Sequence, residues 1–242
     1  MNRLFSLFAA TCFSVIFSSA IAQDNQLTQK EKAAGWQLLF DGKTSGGWKS
    51  ANKEGFPEKG WKIENGTISI VPKGGGGDIV SQKEYGDFEL SADFKVTEGA
   101  NSGIKYYVAM LPSSPNGKPS ALGLEYQVID DERHPDAKLG KNGDRRLSSL
   151  YDLIPAGSGK KVKPVGEWNN AHIIAKGSHV EHWLNGVKVL EYDRNSDAFK
   201  KLIAESKYKD IPGFGLNAKG RILLQDHGDE VYFKNVKIKA KD

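Results

Sequence analysis

Cysteine is almost absent from this chain: the single one, Cys12, lies in an apolar run near the start. Arg3, the apolar stretches Leu4–Ala10 and Cys12–Phe17, and the small residues of Ala20-Ile21-Ala22 form the pattern of a cleavable secretory signal, too short for a membrane anchor. Cleavage after Ala22 removes Cys12, which excludes thiol nucleophiles, structural disulfides and cysteine-bound zinc from the mature chain. An exported protein without disulfides depends on a large core, and about 220 residues in one domain can bury one. The signal directs export, to a periplasm or a cell surface. Charge of one sign is also missing: 34 Lys+Arg against 30 Asp+Glu leave +4, spread along the chain. That is not the footprint of a nucleic-acid binder. With 38% hydrophobic and 26% charged residues, the chain is neither disordered nor collagenous.

What is present reads as strands. Trp61–Ile70 and His179–Leu190 are each two alternating runs joined by Asn-Gly, at Asn65-Gly66 and Asn185-Gly186. Both residues tolerate the positive φ of a type I′ turn, which makes this the strongest short hairpin signal. Phe88, Leu90, Ala92, Phe94 and Val96 share one face of a period-two run, with Glu89, Ser91, Asp93 and Lys95 on the other. The same reading predicts strands over 36–40, 61–64, 67–71, 78–81, 87–96, 102–110, 122–130, 147–153, 168–176, 179–184, 187–193, 212–217, 221–225 and 230–239. Only 194–206 reads as helical, beyond a short turn at Thr28–Gly35. Many strands without alternating helices predict an all-β fold, an antiparallel two-sheet jelly-roll sandwich, in one domain over 35–242 after a polar segment at 23–34.

Alternation also sorts candidate site residues from core. Leu122, Leu124, Tyr126 and Val128 share a face, so Glu125 and Gln127 project from the opposite one. Lys105 and Tyr107 oppose Ile104, Tyr106 and Val108; Gln225 and His227 share a side; so do His179, Glu181 and Trp183. The outer face of a curved sheet forms a groove, and Glu, Gln, His, Lys and Tyr in a groove suit a hydroxylated ligand and proton transfer. The plainer reading is a set of solvated strand faces. The run Asp130-Asp-Glu-Arg-His-Pro-Asp136 offers carboxylates and a histidine. These suit a divalent cation, held at Asp130 and His134, or a fixed imidazole tautomer; an acidic turn neutralised by Arg133, Arg145 and Arg146 fits equally. The glycines of Gly74–Gly77 are not a phosphate loop, since no Lys-Ser/Thr pair and no helix follow.

Taken in order, several segments resemble one family: Leu39-Phe-Asp-Gly-Lys43 with Gly47-Trp48, Trp61 with Glu64-Asn-Gly66, Tyr85-Gly-Asp-Phe-Glu-Leu90, Asn101-Ser-Gly-Ile104 and Gly123-Leu-Glu-Tyr-Gln127. Ser149–Pro155, Pro164-Val-Gly-Glu-Trp-Asn169, His182-Trp-Leu-Asn-Gly186, Leu224-Gln-Asp-His-Gly228 and Phe233-Lys-Asn-Val236 continue the series. This is similar to the 3-keto-disaccharide hydrolase domain family, over roughly residues 35–240. Val108 departs from it, standing where the family pattern leads one to expect Arg. The resemblance implies a concanavalin A-like jelly roll, a carbohydrate substrate and cleavage of glycosides already oxidised to a ketone at C3. A C3 ketone acidifies the C2 proton, so that a base, an enolate stabiliser and an acid for the leaving oxygen suffice for β-elimination, with hydration completing net hydrolysis. On the matching positions Glu125 is assigned as base and His134 or His227 as acid. Lys105, Gln127 and Gln225 are hydrogen-bonding groups, and Tyr107, Tyr151 and Trp183 contact the sugar. A divalent cation near Asp130 or His134 is the alternative ketone polariser.

Two other functions share this groove. A carbohydrate-binding module needs no base. A concanavalin-like glycosidase needs paired carboxylates on one strand, and here the partner position reads Gln127. A structural envelope protein would leave the polar face idle.

Overall fold

The computed structural model describes residues 23–113 and 117–240. The secretory signal read at 1–22 lies outside the described residues. Among those described, no helix is long and apolar enough to cross a membrane.

The chain opens with α1 (Gln29–Ala33), closed by a capping box between Thr28 and Glu31, then β1 (Gln37–Leu38), β2 (Trp48–Ser50), β3 (Trp61–Glu64) and β4 (Thr67–Ile70). There follow β5 (Ile79–Ser81), β6 (Phe88–Val96), β7 (Asn101–Pro112) and β8 (Pro119–Ile129). The chain then runs through β9 (Asn169–Lys176), β10 (His179–Leu184), β11 (Val187–Asp193) and α2 (Asp197–Ala204) to β12 (Arg221–Leu224) and β13 (Val231–Ala240).

The strands form two antiparallel sheets. The back sheet runs β11-β10-β9-β6-β13-β4-β3, with β1 also on β13; the front sheet runs β2-β5-β12-β7-β8. The expected jelly-roll sandwich is the observed one. Both Asn-Gly turns carry positive φ at both residues, 49° and 73° at Asn65-Gly66 and 50° and 76° at Asn185-Gly186. β6 buries every second residue, as its alternation requires.

Two predicted strands are absent, for one reason. The alternation in 147–153 and 212–217 comes from apolar groups buried along turns. Ser148 and Asp152 have φ of 65° and 61°, and Gly213 and Gly215 of 75° and 74°, values that interrupt regular extended backbone. Phe214 instead stacks on Tyr208 with ring centroids 3.8 Å apart. β2, three residues long, was too short for periodicity to reveal.

A polar chain crosses the core between the sheets. His182, fully buried, donates from Nδ1 to the Ser148 carbonyl at 3.2 Å, so its neutral ring accepts at Nε2 from the Tyr106 hydroxyl at 2.7 Å. Tyr106 in turn accepts from Tyr192 at 2.6 Å. Every member is satisfied only while His182 stays neutral, and burial holds its pKa down to about 3.

The unfolded chain protonates this histidine near 6.5 while the native one resists until about 3. Between these values the unfolded state binds more protons, so stability falls as the pH is lowered from about 6.5. Urea unfolding from pH 7 to 4.5 should show this fall, and His182→Gln should flatten it. Tyr106→Phe, which strands His182 Nε2, should cost about 1–3 kcal/mol at pH 7 with an unchanged m-value.

Candidate active site

The register of β7 on β8 builds the site. Lys105 stands opposite Glu125, and Gly103 opposite Gln127. Alternation turns Ile104, Tyr106, Leu124, Tyr126 and Val128 into the core, leaving Lys105, Glu125 and Gln127 on the outer face of the front sheet. Gly103 makes the room: a Cβ there would lie 2.2 Å from Glu125 Oε1. β12 adds the third strand, and the segment after it brings Gln225 and His227 to the same place. These side chains floor a cleft of about 310 Å³, walled by Tyr151, Lys207 and Tyr208.

Glu125 is buried, with its Oε2 3.7 Å from Lys105 Nζ. Burial pushes its carboxyl pKa up, against the opposing pull of Lys105 and Lys207. Lys105 is shared, because Asp78 Oδ2 lies 4.0 Å from the same nitrogen. Gln127, almost wholly enclosed, donates to Asn101 Oδ1 at 3.3 Å. Lys207 as a residue is exposed, yet its ammonium sits 4.1 Å above the Tyr151 ring and 5.1 Å from that of Tyr208. Desolvation at the cleft wall lowers its pKa, with Glu125 opposing. No carboxylate among the described residues forms an ion pair with it. Tyr151 is fixed through its hydroxyl, which donates to Asp136 at 2.8 Å, and Arg145 ties Asp136 to Asp152.

His227 reaches the cleft from a tightly held turn. Asp226 N–H donates to Asp78 Oδ1 at 2.9 Å, Gly77 N–H donates to Asp226 Oδ2 at 2.8 Å, and Gly228 takes a φ of 91°. Behind His227 stand Asp229 and His134: Asp229 Oδ2 lies 3.7 Å from His227 Nδ1 and 3.8 Å from His134 Nε2. These three groups offer ligand atoms within 4.8 Å of one another. His134 Nδ1, however, accepts the Asp136 N–H at 3.1 Å, so a neutral ring carries its proton on Nε2, facing Asp229. A cation ligated there would have to displace that proton. The arrangement suits proton donation better than metal binding.

The predicted residues divide accordingly. Glu125, Gln127, Lys105, Gln225, His227 and Tyr151 converge on the cleft, and His134 stands one layer behind. Three do not belong. Tyr107 is core: a bulge between Tyr106 and Ala109 breaks the alternation, and with φ at 53° its ring turns inward, 5.6 Å from Phe88 and beneath the Arg194 guanidinium. Trp183 lies on the outer face of the other sheet, donating to Glu181 at 2.7 Å. Asp130 is spent on its own turn. Burial works to raise its pKa, but N–H groups of Gly99, Glu132 and Arg133 and the Arg133 guanidinium outweigh it and hold the carboxylate below its ordinary range. The metal role expected at Asp130 therefore has no geometric basis.

Sequence reasoning missed Lys207, Asp78, Asp229 and Gly103. Only Gly103 carried a signal, as a glycine inside a strand where something approaches closely.

The fold and cleft define a jelly-roll protein with acid–base groups gathered on the open face of one sheet. A family model, the 3-keto-alpha-glucoside-1,2-lyase-like domain, matches residues 35–239, and the chain belongs to this family. A curated Bacteroides thetaiotaomicron protein, named 3-keto-disaccharide hydrolase, is 37% identical over 91% of this chain and 83% of its own. A solved Parabacteroides distasonis structure assigned to the glycosyl hydrolases shares 38% identity with a TM-score of 0.80, covering 91% of this chain and all of that one. A second from the same organism shares 29% identity, with a TM-score of 0.59, over 85% of this chain and 99% of its own.

The inward turn of Tyr107 leaves its hydroxyl buried without a partner among the described residues. Tyr107→Phe removes an unmet hydrogen bond and keeps the ring under Arg194. Its urea midpoint should match or exceed that of the parent, by up to about 1 kcal/mol in stability.

Proposed function

We propose that this protein cleaves glycosides bearing a ketone at C3, by elimination and then hydration. Glu125 takes the proton from C2, and the C–H electron pair moves into a C2=C3 enolate. As the ketone re-forms, that pair makes a C1=C2 double bond, the C1–O bond breaks, and His227 gives a proton to the departing oxygen. Water then adds across C1=C2, so the net change is hydrolysis. Lys207 and Gln225 line the cleft as donors for the sugar oxygens, including the enolate. Tyr151 and Tyr208 form the wall against which the pyranose lies. Export, as read from the N-terminal pattern, fits a protein acting on external glycans.

One observation carries this reading: a buried carboxylate with raised basicity on the floor of an open cleft, facing an ammonium rather than a second catalytic carboxylate. A binding module has no need to bury Glu125 at that cost. A two-carboxylate glycosidase would require an acid where Gln127 stands. The names of the family and of the Bacteroides relative support the same substrate class.

A chromogenic 3-keto-glucoside tests it directly. The parent protein should release the aglycone, and the corresponding unoxidised glucoside should remain intact. Glu125→Gln should keep the fold and lose about 10²–10⁴-fold in kcat/KM. Burial raises the Glu125 pKa, so the acid limb of kcat/KM should lie above the ordinary carboxylate range. Equal turnover by Glu125→Gln would remove Glu125 from the mechanism, and binding without turnover would favour the module. Gly103→Ala pushes the carboxylate aside and should cost on the order of 10²-fold in kcat while binding changes far less.

A further inference from the structure

Asp78 does not line the cleft, yet it touches both halves of the catalytic apparatus. Its Oδ1 accepts the Asp226 N–H at 2.9 Å, and Asp226 answers by accepting the Gly77 N–H at 2.8 Å. This clasp fixes the turn that presents His227. The other oxygen, Oδ2, lies 4.0 Å from Lys105 Nζ, which lies 3.7 Å from Glu125 Oε2. Lys105 and Glu125 are buried, and the Asp78 side chain is only 23% exposed. One ammonium therefore stands between two carboxylates in a poorly solvated place, at distances too long for a committed hydrogen bond to either.

We propose that Asp78 is a positioning residue that holds Lys105 midway between two carboxylates, so that Glu125 keeps its lone pairs for the substrate, while the same side chain anchors the His227 turn. The proposal rests on Glu125 acting as the base. Were Lys105 to pair with Glu125 alone, the carboxylate would be a settled ion-pair partner and a weaker proton acceptor.

The charges facing Glu125 come from every neighbouring element: Lys105 on β7, Lys207 with Tyr208 beyond α2, Tyr151 from the loop after β8, His227 after β12, and Asp78 before β5. Asp78→Asn keeps an oxygen for the Asp226 N–H and removes one negative charge. It ends the repulsion between the carboxylates and releases Lys105 toward Glu125. Both changes favour ionised Glu125, so its titration must move to lower pH.

The experiment follows the Glu125 side-chain ¹³C resonance, assigned with Glu125→Gln, through a pH titration of the full chain and of Asp78→Asn. Kinetics of 3-keto-glucoside cleavage run alongside. The Glu125 midpoint should fall in Asp78→Asn, the acid limb of kcat/KM should follow it down, and the plateau rate should drop roughly 3–10-fold as the base weakens. Lys105→Met, which removes the shared cation, should move the midpoint upward and serves as a second test should Asp78→Asn fold poorly. A midpoint unmoved in Asp78→Asn, with only the urea midpoint lowered, would reduce Asp78 to a structural clasp and overturn the proposal. A midpoint that moves as expected in a protein that cleaves no 3-keto-glycoside would sink the reaction assigned to Glu125, and with it any role of Asp78 in that reaction.

Discussion

The site depends on one strand register. Pairing Lys105 with Glu125 across β7 and β8 puts an ammonium beside a carboxylate on a sheet face that alternation has already turned away from the core. A slip of β8 by one residue would turn Glu125 into the core and Tyr126 out of it, separating the carboxylate from Lys105. The fold guards this register from the other side. Tyr106 and Tyr126, alternating with Lys105 and Glu125, are anchored to the back sheet, the former through His182 and Tyr192 and the latter by donating to the Trp183 carbonyl. The inner face thus specifies the outer one.

Burying Glu125 and Lys105 opposes stability. Ion pairs removed from water recover their desolvation only with close geometry, and a separation of 3.7 Å is not close. The arrangement fits the role proposed for Glu125, since a carboxylate poorly solvated and loosely paired is a better acceptor for a carbon-bound proton than one in water. Gly103 contributes to the same end. Its missing side chain lets Glu125 occupy space above the sheet that any other residue would fill.

Much of this was legible in the sequence, and the limits have physical causes. Period-two alternation turned Glu125 and Gln127 outward from β8 and Lys105 outward from β7 because long strands obey it, and it put Gln225 and His227 on one side of the chain just beyond β12. It failed at Tyr107, where a bulge inserts a residue that no pattern of apolar positions announces. It also failed at Trp183, whose alternation was read correctly but whose sheet was not: a strand's outward side says nothing about which of two outer faces it joins. Lys207, Asp78 and Asp229 were invisible for a third reason. They come to the cleft wall or to the layer behind it from turns and loop ends, where side-chain direction follows from tertiary packing rather than from any local period.

With a single cysteine in the chain, no intrachain disulfide holds the loops around the cleft, and polar contacts tie them instead. Arg145 joins Asp136 and Asp152, Lys160 joins Asp131 to the Leu147 carbonyl, and Asp144 takes the Lys141 N–H while its own carbonyl accepts from Ser149. These contacts tie the 130–155 loop to itself. They connect it to the core through Ser148, whose carbonyl receives the proton of His182. The same histidine that must stay neutral to complete the core chain therefore also holds the loop from which Tyr151 faces the cleft. Core and site are thereby coupled: acidification that charges His182 takes away the acceptor for the Tyr106 hydroxyl, on the strand that carries Lys105, while the Nδ1–H bond to the Ser148 carbonyl persists.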